Sequence, residues 1–111
     1  IINIQGKNDK LDFTYVDDLV QGCIQAAINK NGLNQIFNIT CGKGETLYNF
    51  VMILKKHFTS LKYKVSNRDS FRPVRGTLSI NKAKKLINYS PKYNLSQGVE
   101  KYIKFLKNLK K

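Results

Sequence analysis

The sequence has no apolar run near the ~18 residues that a membrane-crossing helix needs, and no basic-then-apolar opening of the secretory kind. The expectation is a cytoplasmic chain without a membrane partner. Cysteine is scarce, and Cys23 and Cys41 are not spaced as a zinc site or a redox pair. Cys23 falls among apolar residues at helical spacing, so a reduced, buried thiol is expected rather than a disulfide. The single histidine, His57, has no cysteine or acid at ligand spacing, which argues against a metal centre. It falls near a helix C-terminus, where a cation is favoured by the dipole. Acids are also few: 7 Asp and Glu face 20 Lys and Arg, for a net charge of +13. Such a balance reflects either a composition biased to Lys, Asn and Ile or a surface for a polyanion, bound without sequence selectivity.

What is present is organised by one stretch, Asp12-Phe13-Thr14-Tyr15-Val16-Asp17-Asp18-Leu19-Val20. It opens as an alternating, β-favouring run and then changes period. Leu19, Val20, Cys23, Ile24, Ala27 and Ile28 recur at helical spacing and define an apolar face. Asp17 and Asp18 stand at the switch, where carboxylates can accept from free amides of the first turn. A strand turning sharply into a helix over about Asp17 to Lys30 is predicted, closed by Asn31-Gly32. Upstream, Ile1-Ile2-Asn3-Ile4 reads as a strand, and the polar Gly6 to Lys10 loop predicts a hairpin between the first two strands. The abrupt opening at Ile1 is expected of a piece cut from something longer. At 111 residues the chain is one small domain or part of a larger one.

Downstream, Gln35-Ile36-Phe37-Asn38-Ile39-Thr40 predicts a strand, and Cys41-Gly42-Lys43-Gly44-Glu45-Thr46 a glycine loop whose Thr46 caps the next helix. A glycine loop between strand and helix has the layout of a phosphate cradle. This one lacks the full dinucleotide fingerprint and the Gly-Lys-Ser/Thr ending of a nucleoside-triphosphate loop, so a tight connecting turn is the plainer reading. Leu47, Phe50, Val51 and Leu54 stripe the helix, which ends near His57-Phe58, and Lys62 to Val65 reads as an edge strand. A short helix follows, with Ser79 as its cap and Ile80, Ala83, Leu86 and Ile87 as its face. Asn94-x-x-Gln97 then opens a last helix as a capping-box variant. Its inner face is Leu95, Val99, Tyr102, Ile103 and Leu106, with Lys101, Lys104, Lys107, Lys110 and Lys111 outside or at its end.

Between these elements, Ser66 to Gly76 concentrates Arg68, Arg72 and Arg75, the three arginines of the chain. Arginine suits two-pronged recognition of phosphate oxygens. Pro73 stiffens the segment, and Gly76 permits an unusual backbone angle. A solvated loop with ion pairs to Asp69 is an equal reading on physics alone.

Three segments resemble the C-terminal part of extended short-chain dehydrogenase/reductases, the NAD-dependent nucleotide-sugar epimerases and dehydratases. They are the Asp-Phe-Thr-Tyr-Val-Asp-Asp-Leu-Val stretch, Phe-Asn-Ile-x-x-Gly-x-Gly-Glu-Thr, and Arg-Pro-x-Arg-Gly-Thr-Leu-x-Ile-x-Lys-Ala-Lys-x-Leu-x-x-Tyr-x-Pro with its following helix. Together they cover nearly the whole chain in order. The resemblance implies an α/β fold, the substrate-binding lobe (1–111) of an extended Rossmann-type reductase, with short strands and about four helices. It also implies a nucleotide-sugar substrate, NAD in the parent enzyme and a parent homodimer.

The Gly-x-x-Gly-x-x-Gly cofactor loop and the Tyr-x-x-x-Lys pair of that family do not occur here. A missing N-terminal Rossmann lobe is expected to supply them, and the chain alone is expected to bind no cofactor and catalyse nothing. Among the positions that match, Arg75 and then Arg72 are expected to contact the nucleotide diphosphate, with Arg68 nearly silent. Leu11 stands where many members have a diphosphate-binding arginine, Ser79 where they have an acid, and Asn88 where they have glycine. The competing readings are a free-standing basic module binding nucleic acid nonspecifically and a degenerate structural lobe supporting dimerisation.

Overall fold

The computed structural model describes residues 1–109; Lys110 and Lys111, expected at the end of the last helix, lie outside the described residues. Over the described residues the chain is α/β, with short strands and four helices. Its elements are β1 (Ile2–Gln5), β2 (Lys10–Asp12), α1 (Val16–Ile28), a 3-10 turn (Lys30–Gly32), β3 (Gly44–Thr46), α2 (Leu47–His57), β4 (Tyr63–Ser66), α3 (Asn81–Ile87) and α4 (Leu95–Leu109). Among the described residues no helix is long and apolar enough to cross a membrane.

The predicted hairpin between the first two strands does not form. β1 pairs in parallel with β4, Ile2 beside Tyr63 and Gln5 beside Ser66, while β2 pairs antiparallel with β3, Lys10 opposite Thr46. The reason lies in the turn between them. Gly6 takes φ +70°, a conformation glycine adopts without strain, and the Asp9 amide closes the turn on the Gly6 carbonyl at 2.9 Å. The carbonyls of Lys7 and Asp9 then accept from the Tyr48 and Leu47 amides at the start of α2, not from β1.

The core is built on α3. Ile80, Ala83, Ile87 and Tyr89 are buried, with Ala26, Phe37, Ile39 and Leu86 packed around them. The predicted stripe is therefore correct, but Ile80, not Ser79, holds the N-cap position; Ser79 Oγ accepts from the Asn81 amide at 3.4 Å. α3 stops at Asn88, which is left-handed at φ 55° and does the work glycine does elsewhere in such caps. α2 begins as predicted, with Thr46 Oγ1 accepting from the Asn49 amide at 3.0 Å. α4 opens with the reciprocal box: Asn94 and Gln97 each accept from the other's amide at 3.0 Å. Its buried residues are Gly98, Val99 and Ile103, whereas Tyr102 stays more than half exposed.

α1 departs most from its sequence pattern. Its buried residues are Asp18 and Gly22, while Leu19, Val20, Ile24 and Ile28 are 44–71% exposed and Cys23 is an exposed free thiol. The helix approaches the core through Gly22, where a Cβ would stand 2.3 Å from Ile39 Cγ2 and 3.0 Å from Tyr89 Cε2. That closest face excludes side chains, so the apolar stripe beside it points away from the described core. The helix also ends earlier than predicted, at Ile28, and Asn31-Gly32 falls in the separate 3-10 turn.

Residues 35–40, predicted as a strand, pair with neither sheet. Phe37 and Ile39 turn to the core and Ile36 is 87% exposed, an alternation without a ladder. Both described sheets stop at two strands.

Candidate functional site

The stretch from Asp12 to Asp18 ties four distant segments together. Asp12 Oδ2 accepts from the Leu78 amide at 2.7 Å, and Thr14 Oγ1 accepts from the Cys41 amide at 3.0 Å. Phe13 stacks on Phe50 of α2 with centroids 5.0 Å apart, and Tyr15 meets Tyr93 edge-on at 4.9 Å. The expected capping of α1 by its own acids is not found: Tyr15 is the N-cap and makes no side-chain cap bond. Asp18 instead accepts from the Lys92 and Tyr93 amides at 2.8 and 3.0 Å, fixing the segment that leads into α4. It can do so because α1 presents it inward, 3% exposed, beside Gly22.

The glycine loop is a tight turn and not a cradle. Gly42 has φ +68°, its amide donates to Thr40 Oγ1 at 3.1 Å, and a Cβ there would stand 2.7 Å from Ile80 Cδ1. Its backbone is engaged by the fold and closed off by the core. Among the described residues no three His, Cys, Asp or Glu side chains gather as a metal site.

The arginine segment between β4 and α3 is held by a polar network. Arg68 Nε donates to Asp9 Oδ2 at 2.9 Å, and its Nη2 donates to the Arg72 carbonyl. Arg72 Nε donates to Asp69 Oδ2 at 2.6 Å and its Nη2 to Gln5 Oε1 at 3.1 Å. Asp69 Oδ1 also accepts from the Phe71 and Arg72 amides at 3.1 and 2.8 Å. These bonds, the Arg72 amide first, hold the Asp69 carboxyl below its usual range. The ion pairing to Asp69 that the sequence allowed is thus present.

Arg72, Pro73 and Arg75 share a cleft of about 180 Å³ with Asp9, Leu11 and Leu47. Arg75 also borders the adjoining groove of about 640 Å³, lined by Leu11, Phe13, Thr40, Thr77 and Leu78 among others. The two predicted residues are therefore brought together, and Leu11 lies between both hollows. Arg68 braces the loop from outside that lining. Among the described residues Arg75 forms no ion pair. Gly76 does not use a left-handed angle, and nothing lies within 4 Å of where its Cβ would be. Sequence reading missed Gln5 and Asp9; the one available signal was an acid, Asp9, in a chain with few of them.

No family model matches the chain. An uncharacterised protein of Methanocaldococcus jannaschii is 30% identical over 103 residues, covering 91% of this chain and 31% of that protein. Among solved structures, an epimerase of Methanothermobacter thermautotrophicus matches with a TM-score of 0.85 at 21% identity, over 97% of this chain and 33% of its own. The UDP-glucuronic acid 4-epimerase of Bacillus cereus, in complex with UDP-glucuronic acid and NAD, matches with a TM-score of 0.76 at 28% identity, over 94% of this chain and 35% of its own.

The chain has the fold of the C-terminal part of extended short-chain dehydrogenase/reductases, the NAD-dependent epimerases and dehydratases. It spans about a third of the length of the proteins it matches. The nucleic-acid alternative gains no support from these likenesses.

Proposed function

We propose that residues 1–111 form the substrate-side lobe of an NAD-dependent nucleotide-sugar epimerase or dehydratase. An N-terminal Rossmann lobe would carry NAD, which takes and returns a hydride at the sugar, together with the catalytic tyrosine and lysine. On this reading the glycine loop of this chain is a structural turn, with Gly42 packed against Ile80 and its amide donating to Thr40 Oγ1. The work of this lobe is to bind and orient. Arg75 and Arg72 supply permanently charged, forked donors for the diphosphate, while Leu11, Phe13 and Leu78 line an apolar wall that excludes water beside it. The parent enzyme on this reading is a cytoplasmic homodimer.

The observation that carries the proposal is the convergence of Arg72, Pro73, Arg75 and Leu11 on one cleft, at the positions where the family resemblance expects diphosphate contacts. Charged hydrogen bonds of this kind contribute about 1.5–3 kcal/mol each. Arg75→Ala should therefore weaken nucleotide-sugar binding by roughly ten- to a hundredfold, and Arg75→Lys should recover only part of it. An NMR titration of the chain with UDP-glucuronic acid, NAD and a DNA duplex in parallel tests the reading. Saturable shifts at residues 11–13 and 72–78 are expected with the nucleotide sugar, and with NAD only the weaker shifts that its own diphosphate gives at the same arginines. A nucleotide sugar that leaves those amides unmoved, or a duplex that moves them selectively, would overturn it.

A further inference from the structure

Of the four helices, α1 alone carries no lysine or arginine, in a chain whose net charge is +13. It meets the core through Asp18 and Gly22, and its opposite side is apolar and open. At about 100° per residue, Leu19, Cys23, Val16, Val20, Ile24 and Ile28 follow one another around that open side. The five aliphatic side chains are 44–71% exposed, and Cys23 is an exposed free thiol. The face also reads nearly alike from either end. About a point between Cys23 and Ile24, Leu19 is matched by Ile28 and Val20 by Ala27, while the exposed acid Asp17 is matched by the exposed Lys30 just past the helix.

We propose that this face docks a second copy of the chain, the two α1 helices lying antiparallel across a twofold axis that passes beside Cys23. Charge selects both the occupant and the surface. Two copies at +13 repel wherever their lysines come together, and α1 is the helix on which they meet none. In the antiparallel register Asp17 of each copy lies beside Lys30 of the other, and each helix sets its negative end against the positive end of its neighbour. A 13-residue helix is only about 20 Å long, so the contact falls short of the ~800 Å² per partner of a standard interface. The dimer is therefore weak and exchanging, populated at high concentration. The inference stands apart from the nucleotide-sugar reading, because no residue of α1 lines either hollow beside Arg75.

The test is sedimentation equilibrium of the whole chain over a range of concentrations. A monomer–dimer equilibrium is expected, and it should tighten as salt rises, since screening relieves the repulsion between copies. Ile24→Ser, present twice in a twofold contact, should weaken dimerisation about tenfold or more. Tyr102→Ser, at a side chain 56% exposed on α4, should leave it unchanged. Asp17→Lys should weaken association, and Asp17→Lys combined with Lys30→Asp should restore it. In Cys41→Ser the remaining thiol is Cys23. Copper phenanthroline in air should then join two copies through a Cys23–Cys23 disulfide, oxygen taking up the two electrons and two protons released. A chain that stays monomeric at millimolar concentration overturns the proposal and leaves the stripe to a different protein. Dimers that Tyr102→Ser weakens as much as Ile24→Ser does, or that give no Cys23 link, overturn the choice of α1. A charge swap that fails to restore association overturns the antiparallel register.

Discussion

Asp18 shows how one buried carboxylate can organise a chain of this size. Each of its two oxygens accepts one backbone amide, from Lys92 and from Tyr93. Asparagine has a single acceptor oxygen, and its amino group would face the second amide. Asp18→Asn should therefore strand one buried donor and cost about 1–3 kcal/mol, read as a lowered urea midpoint. The exposed neighbour Asp17→Asn should change it by no more than ~0.5 kcal/mol, and equal effects at both sites would remove Asp18 from this role. Tyr89 provides a pH handle on the same core. Burial first, and the Asp18 charge second, push its phenol up to about 12. The neutral form is the one the fold favours, and its hydroxyl donates to the Thr40 carbonyl at 2.9 Å. A raised folded pKa gives stability that is complete below the unfolded value of ~10 and is lost as pH climbs from there through about 12. Lysines and other tyrosines titrate there too, so the comparison is with Tyr89→Phe. Its stability deficit relative to the native chain should shrink across that window, and a constant deficit would contradict the assignment.

The helices differ in how faithfully their sequence patterns report their surroundings. On α3 the stripe Ile80, Ala83, Ile87 is the core itself, whereas the equally regular stripe on α1 faces outward. Ile87→Ala should cost about 2–5 kcal/mol as a buried truncation. Ile24→Ser, 46% exposed, should leave the unfolding midpoint nearly unchanged while lowering binding of a hydrophobic dye. A loss at Ile24 matching that at Ile87 would mean that α1 is buried by its predicted face after all. Legibility follows the range of the interactions. The Asn94–Gln97 box and the Thr46 cap have their partners within a few residues, and the α3 stripe recurs at helical spacing whatever it packs on, so spacing and periodicity reveal them. Asp9 with Arg68, Asp12 with Leu78 and Asp18 with Tyr93 are 59, 66 and 75 residues apart. Nothing local distinguishes those acids from solvated ones, and the family resemblance marked the stretch without giving its bonds. The Gly6–Asp9 turn was legible as a turn, but not the exchange of strand partners that it permits. In the site, the clustering of Arg72 and Arg75 beside Pro73 was legible from composition. Their unequal pairing was not, because Gln5 is distant in sequence and Asp69 is near all three arginines.

For the molecule as a whole, the net charge of +13 is the property most open to misreading. The cations lie on several elements: Lys55 and Lys56 in α2, Lys84 and Lys85 in α3, and Lys101, Lys104 and Lys107 in α4. Several contact aromatic rings of the chain itself, Lys55 over Tyr63 and Lys101 over Tyr93, which takes those rings from the stacking that single-stranded nucleic acid would use. A dispersed field of this kind attracts any polyanion weakly. Exposed charges are screened over ~10 Å at 0.1 M salt, and affinity that comes from counterion release falls steeply as salt rises. DNA binding by the chain, measured by fluorescence anisotropy on two unrelated duplexes, should be equal on both and should collapse between low and physiological salt. Arg75→Ala should reduce it no more than Lys104→Ala does, because each removes one charge from a delocalised field, even though, of the two, only Arg75→Ala is expected to weaken nucleotide-sugar binding under the proposed function. Tight binding at physiological salt with a preference for one duplex would instead make the basic surface the functional one and return the nucleic-acid reading to first place.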